Sequence, residues 1–147
     1  MTLRRAQGPG EAQGPGAEVR LRRVVAGILL VLVVAAGLVV HFTLPDGDAT
    51  DIAGDALYVA AVYAFVVVLA PRWSSLVVGS LVLVWCVGVE LFQLTGMPLA
   101  WGAQFAPIML VLGTVFDARD LAVYATAAVA LSVIDLALRR AVARRAG

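Results

Sequence analysis

A chain of 147 residues that is 62% hydrophobic, with a mean hydropathy of +0.96, carries more apolar surface than one small core can hide. Lipid must be the solvent for much of that surface, which excludes a soluble globular domain. The net charge of +1 conceals a division by position, since all eleven basic residues are arginines, and the single cysteine, Cys86, excludes an internal disulfide.

Residues 1–23 hold a doubled AQGPG, at 6–10 and 12–16, followed by Arg20, Arg22 and Arg23. Proline and glycine at that density are expected to leave a disordered tail. The apolar stretch 24–42 is too long for a signal-peptide core and no small-x-small cleavage site follows it, so it reads as a retained first span. Three more stretches approach the ~20 apolar residues that a bilayer crossing requires: 52–70, 76–94 and 120–138. Pro71 and Arg72 leave only a short turn between the second and third, which makes those two helices antiparallel neighbours.

Residues 97–116 are nearly free of charge but broken by Pro98, Gly102, Pro107 and Gly113. A fifth span there would place Arg139, Arg140, Arg144 and Arg145 opposite the N-terminal arginines. With four spans, those residues share one side with Arg4, Arg5, Arg20, Arg22, Arg23 and Arg72, leaving Arg119 alone on the other. The positive-inside rule then puts both termini in the cytoplasm. The expected architecture is therefore an all-α polytopic membrane protein with four transmembrane helices and a re-entrant or interfacial segment between helices three and four, shielded from lipid by protein. Its parts are a disordered cytoplasmic tail 1–23, a transmembrane domain 24–138 and a basic cytoplasmic tail 139–147. The bias towards Arg, Ala, Val and Gly suits a high-GC bacterial genome, so a bacterial cytoplasmic membrane is the expected location.

That topology gathers acids at the external end. Asp46, Asp48 and Asp51 fall in the first outer loop, and Asp55 begins the second span with Tyr58 three residues on. Glu90 and Gln93 share a face near the outer end of the third span. Asp117, Asp120 and Tyr124 follow at i, i+3 and i+7 where the fourth begins. Three helices thus each offer an acid and a hydrogen-bonding companion at one depth. Asp55, Tyr58, Glu90, Gln93, Arg119, Asp120 and Tyr124 are the candidate polar pocket, because a carboxylate left in lipid costs roughly 2.5–3.5 kcal/mol on insertion scales and needs partners. Plainer readings stand beside it: Asp55, Asp117 and Asp120 as helix caps, the tyrosines with Trp73 and Trp101 as interfacial belt residues, and Glu90 with Gln93 as a buried clamp between helices. Asp135, one turn before Arg139, reads as a snorkelled ion pair.

The loop PDGDATD at 45–51 alternates aspartates as calcium loops do, but it lacks the glycine and distal glutamate of an EF-hand. His41 has no Cys or His partner for zinc. No hydrolase, zinc-protease or nucleotide motif occurs. No catalytic residue, metal or cofactor is assigned, and the split Arg clusters hold no RNA-binding module, so nucleic acid is not an expected partner.

Taken together, GDALYVAAVYAF at 54–65, the Pro71 break, ELFQL at 90–94 and LGTVFDARDLAVY at 112–124 resemble the membrane family known as domain of unknown function 2809, sometimes labelled a ribosomal maturation protein. The resemblance covers roughly residues 25–138. It implies an LY-bearing helix, an E-x-x-Q helix and an LG-x-x-F element followed by D-L and Y, which here are Asp55, Tyr58, Glu90, Gln93, Gly113, Phe116, Asp120 and Tyr124. Members usually carry a basic residue in the loop matching 97–112; this chain has Gln104 and neither Arg nor Lys there, so Arg119 is the counter-charge left to substitute. A more distant similarity is to the VanZ-like family. The leading functional expectation is a polar acidic pocket facing the outer leaflet that binds or processes an envelope or lipid-linked molecule. The alternatives are a small proton-coupled transporter and a structural assembly partner, with oligomeric state unread.

Overall fold

The computed structural model describes residues 15–146, most of which are helical, with no β-strand among them. Residues 1–14, which carry Arg4, Arg5, the first AQGPG and part of the second, lie outside the described residues. The first helix, α1, runs Pro15–Thr43 and therefore starts well before the expected first span. Residues 15–23, read from the sequence as tail, are its first turns. Proline suits the opening position of a helix, Glu18 complements the dipole there, and between 17 and 26 the chain has no further proline or glycine to stop it.

Pro45 and Gly47 punctuate the turn to α2, Asp48–Leu69, whose first turn holds Asp48 and Asp51. Pro71 ends α2, and α3, Ser75–Gln93, opens where the Ser74 hydroxyl accepts a hydrogen bond from Val77 N at 3.3 Å. Gly96, at φ 69°, turns the chain out of α3, because only glycine adopts that left-handed conformation without strain. A short helix α4, Met97–Gly102, a 3₁₀ turn Ala106–Ile108 and a single turn α5, Met109–Leu112, follow. The last helix, α6, runs Ala118–Ala146.

Four helices, α1, α2, α3 and α6, are long and apolar enough to cross a membrane, with mean hydropathies of 2.0 to 2.8 over their most apolar windows. Large apolar side chains on their outer faces, Val31, Leu76 and Val84 among them, are exposed, as lipid-facing residues must be. The core lies between α2, α3 and α6 and consists of Val59, Tyr63, Val67, Val78, Val82, Cys86, Tyr124 and Ala128, with Ala26 added from α1. Gly79 permits the close approach of α3 to α6: a Cβ there would land on the Ser132 hydroxyl, which itself donates to Ala128 O at 2.7 Å.

The segment 97–116 begins and ends at the same end of the bundle, because Asp117, just beyond it, meets Glu90 near the end of α3. None of its pieces is long enough to cross. The opposite end holds the start of α1, the α2–α3 turn and the later part of α6, joined through Arg22, Pro71, Trp73 and Asp135.

Candidate functional site

At the acid-rich end, Glu90 is fully enclosed, with 0% of its surface exposed. Its Oε1 accepts from the Tyr124 hydroxyl of α6 at 3.0 Å and its Oε2 from the backbone N–H of Asp117 at 3.3 Å. One turn further along α3, Gln93 is 7% exposed and donates through Nε2 to Leu112 O at 2.9 Å, while its Oε1 has no donor. Gly113, at φ 63°, makes this possible twice over: it takes the turn that ends α5, and a Cβ on it would occupy the place of the Gln93 amide.

Tyr58 of α2 donates to Val111 O at 2.8 Å and accepts from the Trp85 indole at 2.9 Å. Its ring lies 6.4 Å from that of Tyr124, within the range in which aromatic pairs attract. Asp55, one turn before Tyr58, is half-buried and its carboxyl reaches that of Asp120 across the α2–α6 contact. Asp55 Oδ2 and Asp120 Oδ1 are sealed from solvent and neither has a hydrogen-bond donor. The helix-cap reading of Asp55 does not hold, since α2 starts at Asp48 and Asp55 lies two turns inside it. Asp117 does cap α6, its Oδ1 accepting from Arg119 N at 2.8 Å.

Arg119 does not reach Glu90. It fans outward to Asp48 at 2.9 Å, Asp51 at 3.5 Å, Asp120 at 3.6 Å and Asp117 at 3.7 Å. The start of α6 leaves its side chain beside the first turn of α2, which supplies Asp48 and Asp51, two residues that the sequence places in a loop. All seven expected residues therefore stand at one end of the bundle but form linked pairs rather than one ring: Glu90 with Tyr124, Tyr124 with Tyr58, Asp55 with Asp120, Asp120 with Arg119, and Gln93 with the backbone of 112. Among the described residues, no three His, Cys, Asp or Glu side chains come together in a way that could hold a metal ion. Two open clefts run along α1, one lined by Val24, Gly27, Ile28, Val31 and Leu32 and the other by Gly16, Ala17, Arg20, Leu21 and Val24, and neither reaches this cluster.

Sequence reasoning missed Trp85, whose indole holds Tyr58 in place, and the acceptor carbonyls of Val111 and Leu112. No spacing rule reveals a backbone acceptor in an irregular segment; Gly113 is the nearest signal. It also missed a second polar network at the other end. Asp135 pairs with Arg22 of α1 at 2.5 Å and accepts from Tyr63 at 3.0 Å, while Arg22 also donates to Pro71 O at 2.6 Å and Trp73 O at 2.8 Å. The expected Asp135–Arg139 pair is not formed. Arg139 donates to Trp73 O at 3.1 Å instead, because the early start of α1 brings Arg22 level with the α2–α3 turn and ahead of it to the carboxylate.

The model of the family described as "Protein of unknown function (DUF2809)" matches residues 44–128, more than half of the chain. The match takes in α2, α3, the 97–116 segment and the beginning of α6, and so contains all seven candidate residues, whereas α1 and Asp135 fall outside it. No curated protein and no solved structure matches the chain.

Proposed function

The chain belongs to the family described as "Protein of unknown function (DUF2809)", and from that premise we propose that it binds the donor-bearing head of an envelope or lipid-linked molecule at its acid-rich end. In this reading it is a multi-pass protein of the bacterial cytoplasmic membrane with both termini in the cytoplasm. The arginine distribution supports that orientation, with ten of eleven before the apolar part of α1, in the α2–α3 turn or late in α6. Residues 97–116 then lie in the outer leaflet or at its surface, between the cluster and the membrane exterior.

The observation that carries the reading is the pair of sealed, donorless oxygens on Asp55 and Asp120. An ionised carboxylate only accepts, and a buried acceptor left unsatisfied costs about 1–3 kcal/mol. Arg119 Nε, 3.6 Å from Asp120 Oδ1, is too far to relieve it fully. Seven acids (Asp46, Asp48, Asp51, Asp55, Glu90, Asp117 and Asp120) against Arg119 make this end a sink for positive charge. An ammonium or hydroxyl-rich head would supply the missing donors and match that field.

A second reading, the small proton-coupled transporter, is favoured by the mutual reach of the Asp55 and Asp120 carboxyls, since a single shared proton would also be the missing donor. One experiment separates the two. The protein is extracted in native lipid particles beside Asp55→Asn and Asp120→Asn, co-purifying lipids are identified by mass spectrometry, and proton flux is followed in proteoliposomes. A bound species lost from both variants supports the binding reading; flux lost from both, with the same lipids bound, supports the transporter. No difference in either assay, with full complementation of a deletion strain by both variants, refutes both and leaves the assembly-partner role.

A further inference from the structure

We propose that residues 109–117 form a lid across the acid-rich end of the bundle, latched shut by Tyr58, Gln93 and Glu90. The segment between α3 and α6 has two halves that are held differently. Its first half is packed: α4 buries Pro98 and Gly102, and the thioether of Met109, the residue where the lid begins, is seated on Gly102 in the place a Cβ would take, which anchors the near end of the lid. Its second half is packed less: α5 buries no residue fully, Leu112 and Phe116 are half-buried, and Val115 is 69% exposed.

What holds that half is polar and comes from outside it. Tyr58 of α2 donates to Val111 O, Gln93 of α3 donates to Leu112 O, and Glu90 of α3 accepts from Asp117 N. Each of these three bonds is made by a side chain of a long helix to a backbone group of the segment; of the lid's own side chains, Asp117 alone bonds, to Arg119 where α6 begins. A segment tied by a few hydrogen bonds and little buried apolar surface opens at low cost while the bundle beneath it stays folded. Gly113, in the left-handed region between α5 and the irregular stretch 114–117, is the residue able to absorb the backbone change. Glu90 joins lid to cluster, since the same carboxylate holds Tyr124 on one oxygen and the last residue of the lid on the other.

An open lid bares Glu90 and Gln93, the two buried polar side chains of α3 that it covers when closed. What it admits rests on the binding reading above; that it opens does not, and it is tested without any ligand. The full-length protein in lipid nanodiscs is compared with Tyr58→Phe, Gln93→Leu and the double variant by segment-resolved hydrogen–deuterium exchange. Each single variant is expected to speed exchange of residues 109–117 by roughly fivefold, the factor that one net hydrogen bond represents, with the double variant faster still and α2, α3 and α6 unchanged. Tyr63→Phe, at the other end of the bundle, leaves the segment's exchange as it is in the unmodified protein. Unchanged exchange of 109–117 in all three latch variants overturns the proposal. So does an acceleration that spreads equally through the long helices, because Tyr58 and Gln93 would then hold the bundle and not a lid.

Discussion

Replacing Tyr124 by Phe removes one hydroxyl and nothing else, and that hydroxyl donates at 3.0 Å to a carboxylate with no exposed surface. Tyr124 itself is 5% exposed, so water cannot replace the donor without opening the α3–α6 contact. The remaining donor to Glu90, Asp117 N, is long at 3.3 Å and bonds the other oxygen. Interhelical hydrogen bonds in membranes average about 0.6 kcal/mol of coupling with a maximum near 1.7, and bonds to charged acceptors are roughly twice as strong as neutral ones. Full enclosure places this pair at the upper end of that range, with a coupling of roughly 1–2 kcal/mol. The assay is a double-mutant cycle of Tyr124→Phe, Glu90→Leu and the double variant, followed by equilibrium unfolding in mixed lipid–detergent micelles. Tyr124→Phe should cost stability in the parent protein and little in the Glu90→Leu background, where its partner is already gone. Additivity within about 0.5 kcal/mol, the scatter of independent sites, would show that the two residues do not act as a pair and refute the reasoning.

At the other end of the bundle, Arg22→Gln should lower stability by roughly 2–3 kcal/mol in the same unfolding assay, somewhat under the cost of breaking a fully buried pair because the partners are 13% and 18% exposed. Asp135→Asn, which keeps an acceptor for Tyr63, should cost less than Arg22→Gln. Gly79→Ala forces a methyl onto the Ser132 hydroxyl and should destabilise by roughly 1–3 kcal/mol, partly relieved in a Gly79→Ala, Ser132→Ala double variant. Arg119→Gln leaves Asp48, Asp51, Asp117 and Asp120 without a cation, so its stability should rise with added salt more than that of the parent, as thermal melts across an ionic-strength series would read. Single cysteines in a Cys86→Ser background test the orientation: with an impermeant thiol reagent on intact cells, Ala49 and Ala118 positions should label and the Ser74 position should not.

The four long helices were legible because each is a run of apolar residues bounded by charge, proline or glycine, and such runs are local. The spacing that set Glu90 and Gln93 on one face was legible for the same reason, and both are buried. What local spacing cannot carry is which neighbouring helix a face meets. Asp135 has Arg139 one turn away and pairs with Arg22 on another helix; Arg119 sits beside the cluster in sequence and turns to Asp48 and Asp51 in space. The path of 97–116 was illegible beyond its breakers, because side chains of other helices grip its backbone, and backbone carbonyls leave no mark in a sequence. The early start of α1 was hidden by its arginines, which read as tail although a helix tolerates them well.

The Arg22–Asp135 pair spans 113 residues of sequence, so synthesis separates its partners in time. A ribosome delivers Arg22 first, the Pro71 and Trp73 carbonyls next and Asp135 only when α6 is nearly complete. Until then Arg22 lacks its Asp135 partner, and Tyr63 has only the Ser75 carbonyl to donate to. The network therefore closes last, and its closure requires α1, the α2–α3 turn and α6 to lie side by side at this end. A chain stalled before α6 leaves Arg22 with only the Pro71 and Trp73 carbonyls, an uncompensated charge confined to the place where α1 meets the α2–α3 turn.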